Sequence, residues 1–174
     1  MVERARAGDA DAFVAIVRRY EADLRRLVAR MLGEPDRVAD VLQETFLRAF
    51  RALPKFRGDA SLGTWLYRIA YNICLDELKR PRLRVLPLEE AAPAVAPVDT
   101  AGTAGRSAAL RAALAALPPE ERVAVLLVDG EGFDYASAGE VLGVPAGTIA
   151  SRLNRARRVL RELLAEPPEE VQTQ

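Results

Sequence analysis

Between Phe13 and Met31 the apolar residues Phe13, Ile16, Val17, Tyr20, Leu24, Leu27, Val28 and Met31 follow one another at steps of one, three or four. That spacing fits one regular structure, a helix with a single buried face. The period returns in every ordered-looking stretch of the chain, and no stretch carries the alternation or the Asn-Gly turns of paired strands. The chain is therefore expected to be all-α. The first helix is predicted over Asp11 to Met31, capped by Asp9 or Asp11 and ended by Gly33. A second starts near Asp36, buries Val38, Val41, Leu42, Phe46, Ala49, Phe50 and Leu53, and stops at Pro54. A third has Ser61 as its N-cap, buries Leu62, Leu66, Ile69, Ile73 and Leu78, and ends at Pro81.

The pattern then lapses. Residues 81–105 hold Pro81, Pro87, Pro93, Pro97, Gly102 and Gly105, which is the composition of a flexible linker. It divides the chain into a helical module at 1–80 and another at 106–165, followed by an acidic tail at 166–174. In the second module a helix is expected from about Ser107 to Leu117 and another from Pro119 to Asp129. Asp134 caps a short helix through Leu142, Gly143-Val144-Pro145 makes a tight turn, and a final helix runs to about Leu164.

Composition removes most catalytic chemistry. The chain has no histidine, the commonest general base and metal ligand, and neither a phosphate-binding glycine loop nor a Cys-x-x-Cys pair. No enzyme activity, metal or cofactor is expected. The single cysteine, Cys74, lies in an apolar helical pattern and reads as a buried small hydrophobe; with no disulfide framework, no apolar leader near Met1 and no run long enough for a membrane span, a cytoplasmic protein without membrane insertion is expected. The 25 basic and 25 acidic residues cancel, but they are not evenly spread. Residues 55–84 carry seven Lys/Arg against three Asp/Glu, and residues 146–164 carry five Arg against one Glu.

The second basic island falls on the last helix of a short helix, glycine turn and longer helix, the elements of a helix-turn-helix. At 100° per residue Ile149, Leu153, Ala156 and Leu160 face inward, whereas Ser151, Asn154, Arg155 and Arg158 face away, flanked by Arg152 and Arg157. Arg grips guanine edges or phosphates and Asn reads adenine, so this face suits a major groove; the helix start near Gly147 and Thr148 suits a phosphate. An amphipathic helix with a solvated Arg face is the plainer account, and what weighs against it is the turn, the capped preceding helix and the lack of balancing acids.

The first basic island opens with Lys55-Phe56-Arg57-Gly58-Asp59-Ala60-Ser61. Beyond it Trp65, Arg68 and Asn72 lie three and four apart on one helix edge, which Lys79 extends. Ring, cation and amide together serve single-stranded DNA: bases stack, the backbone is tracked, a base edge is read. Taken singly, Trp65 and Tyr67 would be core aromatics. On the second helix Asp40, Gln43 and Glu44 form a polar stripe beside Phe46 and Phe50, either a solvated face or a partner-binding one.

The run Asp40 to Leu53 (DVLQETFLRAFRAL), then Phe56-Arg-Gly-Asp, then Thr64-Trp-Leu-Tyr-Arg-Ile-Ala and Asn72, resembles the promoter-melting domain of bacterial sigma-70 family factors, most of all their extracytoplasmic-function group. The runs Leu117-Pro-Pro-Glu-Glu-Arg122 and Gly143 to Arg157 (GVPAGTIASRLNRAR) resemble that group's second DNA-binding domain. The resemblance implies a factor that binds core RNA polymerase, with Asp40, Gln43, Glu44, Phe46 and Phe50 on the coiled coil of the largest subunit and the second module at the flap. It implies that Phe56, Arg57, Ser61, Trp65, Arg68, Asn72 and Lys79 capture the minus-10 element as single strand. It implies that Thr148, Ser151, Arg152, Asn154, Arg155, Arg157 and Arg158 read the minus-35 element as duplex, and that an anti-sigma factor holds the protein in check. Ala150 stands where members often carry a basic residue. Ala138 and Gly139 replace bulkier helix formers; glycine costs about 1 kcal/mol relative to alanine in a helix, so either a looser module or a close-packed neighbour is expected. Two alternatives remain at this point: a helix-turn-helix regulator acting without polymerase, which leaves Phe56 to Asn72 unexplained, and a decoy that binds polymerase without reading DNA.

Overall fold

The computed structural model describes residues 1–80 and 101–165, and every regular element among them is helical. The tail expected at 166–174, and most of the linker expected at 81–105, lie outside the described residues. A short helix α1 (Val2–Arg6), which the apolar spacing does not announce, precedes α2 (Ala10–Leu32). Asp9 caps α2 by accepting from the Ala12 N–H at 3.0 Å, and Gly33 ends it in the left-handed region at φ 73°. Helix α3 (Pro35–Ala52) runs into a 3₁₀ turn at Leu53–Lys55. Helix α4 (Leu62–Lys79) begins where the Ser61 hydroxyl accepts from Thr64 N–H at 3.0 Å. One expectation fails here: Phe50, assigned to the buried face of the second helix, is 45 % exposed and Phe46 only half-buried. At 100° per residue Phe50 lies beyond the Val41, Leu42, Thr45 and Ala49 stripe that α2 and α4 cover.

The second module opens with α5 (Ala101–Ala116), which starts six residues before Ser107 and so takes up the end of the expected linker. Helix α6 (Pro119–Val125) passes into a wide π turn at Leu126–Gly130 instead of running straight to Asp129. Helix α7 (Tyr135–Leu142) is capped by Asp134, whose carboxylate accepts from Ser137 N–H at 2.7 Å; Gly143 (φ 69°) turns the chain into α8 (Ala146–Leu164). Gly139 explains itself in this turn. A Cβ on it would stand 2.6 Å from the Val144 carbonyl oxygen, so the turn approaches α7 where only glycine fits. The close-packed neighbour, of the two expectations, is the one realised.

The modules are not separate bodies. Helix α4 packs on α7, and α2 on α5 and α6. Leu24, Leu27 and Leu66 from the first module and Leu117, Leu127, Ile149 and Leu153 from the second belong to one buried cluster. Arg122, only 8 % exposed, crosses between them: its guanidinium donates to Met31 C=O at 2.5 Å, and within its own module to Ala115 C=O at 2.8 Å and Leu117 C=O at 3.1 Å. Burial pulls its pKa below the ordinary arginine value, and the three carbonyls keep the charge in place. No helix among the described residues is long and apolar enough to cross a membrane.

Candidate nucleic-acid interface

The loop after α3 and the start of α4 bring the predicted single-strand residues together. The ring centroids of Phe56 and Trp65 are 5.0 Å apart at 44°, and both residues are half-buried. Arg68 and Asn72 are exposed one and two turns further along the same edge, and Lys79 is exposed near its end. Arg57, in the loop, is exposed with no ion-pair partner among the described residues. Gly58, at φ 79°, allows the loop to reverse between them. Ser61 is the member with another occupation, since its hydroxyl caps α4 and also bonds Thr64 Oγ1 at 2.8 Å. Tyr67 is not on this edge. It is buried, donates its O–H to Glu131 at 3.1 Å, and its pKa is raised by burial and by the Glu131 charge.

On α8, Ile149, Leu153 and Ala156 are buried and Ser151, Asn154, Arg155 and Arg158 exposed, as the periodicity requires. Charge balance departs from expectation. Acids do balance this face: Glu121 on α6 accepts from Arg155 at 2.7 Å, and Asp129 accepts from Arg157 at 2.6 and 3.1 Å. The Asp129 bonds raise the Arg157 pKa further above its ordinary value. Those acids lie 34 and 28 residues away in sequence, which is why a local charge count misses them. Arg158 and Asn154 are left without a side-chain partner among the described residues, whereas Ser151 bonds back to Thr148 C=O at 2.9 Å. Arg152 and Thr148 are half-buried, and the charge of Arg152 acts on the buried Tyr71 of α4.

On α3, Asp40 and Gln43 are exposed and Glu44 is tied to Arg48 at 2.6 Å. The exposed Phe50 meets Phe13 edge-on at 5.0 Å. Leu47, 39 % exposed, falls in the middle of this face, at an angle on the helix between Gln43 and Glu44.

The described residues thus form two all-helical modules, one carrying an aromatic pair beside exposed Arg68 and Asn72 and one a helix-turn-helix with exposed arginines. Family comparison makes this specific. Residues 16–84 match Sigma-70 region 2, and residues 107–160 match Sigma-70 region 4. The chain is 38 % identical to the ECF RNA polymerase sigma factor SigM of Mycobacterium tuberculosis over 91 % of this chain and 80 % of that one. It is 35 % identical to the ECF RNA polymerase sigma-E factor of Salmonella typhimurium over 92 % and 90 %. Among solved structures it is similar to CnrH in complex with the cytosolic domain of CnrY, with a TM-score of 0.74 and 26 % identity over 94 % of each chain. It is also similar to the sigma factor RpoE in complex with the anti-sigma factor NepR from Bartonella quintana, with a TM-score of 0.73 and 27 % identity over 89 % of this chain and 98 % of that one. The chain belongs to the sigma-70 family, in its group of ECF RNA polymerase sigma factors. It is a polymerase-binding factor that directs transcription initiation.

Proposed function

We propose that the work divides by module. Residues 1–80 dock on core polymerase and capture the minus-10 element as single strand; residues 106–165 read the minus-35 element as duplex. The observation that carries the first half is the Phe56–Trp65 ring pair with Arg68 and Asn72 along the same edge. An unstacked base on such a platform gains about 1–3 kcal/mol, which offsets part of the cost of opening the duplex, so the factor needs no covalent step of its own. The second half rests on Arg158, Asn154 and Arg155 facing out from the helix-turn-helix. The exposed face of Asp40, Gln43, Leu47 and Phe50, with Glu44 and Phe46 at its margins, is the polymerase-docking surface, on the coiled coil of the largest subunit; the second module sits at the flap.

The protein works in the cytoplasm, and an anti-sigma factor restrains it, as the solved complex of RpoE with NepR suggests by its likeness. Held on polymerase, two modest DNA contacts reach useful specificity through effective concentration. Run-off transcription with core polymerase on genomic fragments, with permanganate footprinting of unpaired thymines, tests the assignment. Wild-type factor should yield transcripts and a reactive minus-10 region. Trp65→Ala should retain polymerase binding and lose the reactivity; unchanged reactivity would assign melting elsewhere.

A further inference from the structure

We propose that Glu121, an acid outside the basic island it serves, is the positioning residue that makes Arg155 a guanine reader. The inference rests on the assignment of α8 to the minus-35 duplex, and it names the base that one arginine of that helix selects. Thr148, Ser151, Arg155 and Arg158 follow one another along α8 at steps of three or four, so they share one edge with Arg155 in its middle. The Arg155 side chain is 53 % exposed, yet its Nε–H is committed: it donates to a Glu121 carboxylate oxygen at 2.7 Å. Among the described residues neither terminal nitrogen of that guanidinium has a partner. With Nε held, the planar fork cannot swing about its stem, and what it presents is the end-on pair of N–H groups on Nη1 and Nη2. Two parallel donors match the O6 and N7 acceptors of guanine, and in the major groove no other base offers two acceptors side by side.

Glu121 suits this role because it is held in place. It lies in the first turn of α6, its N–H donates to Pro118 C=O at 3.0 Å, and its side chain is 14 % exposed. The next residues, Arg122 and Val123, are buried, and the Arg122 guanidinium holds the Ala115 and Leu117 carbonyls at 2.8 and 3.1 Å. Helix α6 packs along α8, so the carboxylate is presented by one anchored helix to the next. An exposed arginine otherwise samples many rotamers, and ordering it on DNA costs entropy that this contact has already removed. Arg157 shows the opposite use of an acid. It donates Nε and Nη2 together to Asp129, at 3.1 and 2.6 Å, and it stands about 200° round α8 from Arg155 at 100° per residue. Its fork is occupied by the π turn and points away from the edge that carries Arg155. One carboxylate aims an arginine; the other withdraws one.

Holoenzyme carrying the full chain tests this on promoters that run-off transcription identifies, with the minus-35 element randomised and the transcribed templates sequenced. Wild type should favour guanine at one position by roughly 5- to 160-fold, the discrimination of one bidentate pair. Arg155→Ala should abolish that preference and leave the others. Glu121→Ala should cut the same preference by about 2- to 12-fold, the cost of ordering one rotamer-rich side chain. Glu121→Gln, whose amide oxygen still accepts from Nε, should keep most of it. Asp129→Ala, which breaks the other arginine–carboxylate pair, should leave it intact. If Glu121 only neutralised charge, its Ala and Gln variants would tighten DNA binding alike and the guanine preference would survive both; that result overturns the proposal. So does an Arg155→Ala factor that keeps the guanine preference. A preference lost equally in Asp129→Ala overturns it too, since α8 would then have loosened as a whole. A wild type with no base preference anywhere in the element overturns the assignment of α8 itself, and this inference with it.

Discussion

Gly139 and Gly147 both lie in helices of the helix-turn-helix, and replacing each by alanine should change stability in opposite directions. Propensity alone favours alanine at either site by up to about 1 kcal/mol. At Gly147 nothing stands within 4 Å of the added Cβ, so Gly147→Ala should stabilise by some part of that amount. At Gly139 the Cβ would meet the Val144 carbonyl oxygen at 2.6 Å and the Ala146 nitrogen at 3.5 Å. The turn cannot simply back away, because Val144 N–H donates to Gly139 C=O at 3.0 Å. Overpacking of this kind costs about 1–3 kcal/mol, and the strained hydrogen bond up to about 1 more. After the propensity gain, Gly139→Ala should lose about 1–3 kcal/mol. For a chain of this size that is a fall in Tm of roughly 2–12 °C, or roughly 4–24 °C if the second module unfolds alone. Thermal and urea unfolding followed by circular dichroism measure both variants. If Gly139→Ala is as stable as Gly147→Ala, the close approach of the turn to α7 is wrong.

Further outcomes follow from the same geometry. Phe56→Ala should slow promoter opening about 5- to 160-fold, from the ~1–3 kcal/mol of a lost stacked base, without changing affinity for minus-35 duplex; 2-aminopurine fluorescence and duplex binding separate the two. Arg158→Ala should weaken minus-35 binding with little effect on Tm, and a salt titration of holoenzyme binding should show its slope reduced by about one charge. The Cys74 thiol, whose pKa burial pushes up to about 12, should resist a thiol reagent at pH 8 until denaturant unfolds the chain; rapid native labelling would contradict its burial. Asp134 accepts from the Ser137 N–H, which lowers its pKa. Its contribution is thus complete above the ordinary carboxylate value of about 3.9 and is lost as pH falls through the lower folded value; Asp134→Ala should flatten the acid limb of the stability profile.

Within each module, helix positions and buried faces could be read from the order of residues, because a helix is a local structure. The 3.6-residue period placed Ile16, Leu24, Leu66, Ile149 and Leu153 inside, and the caps at Asp9, Ser61 and Asp134 marked starts to within a residue or two. The same locality brought Trp65, Arg68 and Asn72 onto one edge and turned Arg158 outward. Family membership was also legible, since both motifs are contiguous runs. What the chain's order could not decide is whatever joins residues far apart along it. The pairing of Arg155 with Glu121 and of Arg157 with Asp129 depends on how α6 lies beside α8, and no spacing rule reaches that far. Tyr67 reads as an ordinary core aromatic until Glu131, 64 residues on, is folded against its hydroxyl. Gly139 looked like a weakness in a helix until the turn came within 2.6 Å of its missing Cβ. Helices were written locally because their hydrogen bonds close within four residues; the meeting of the two modules was left to tertiary packing, which pairs charges and buries surfaces regardless of their order in the chain.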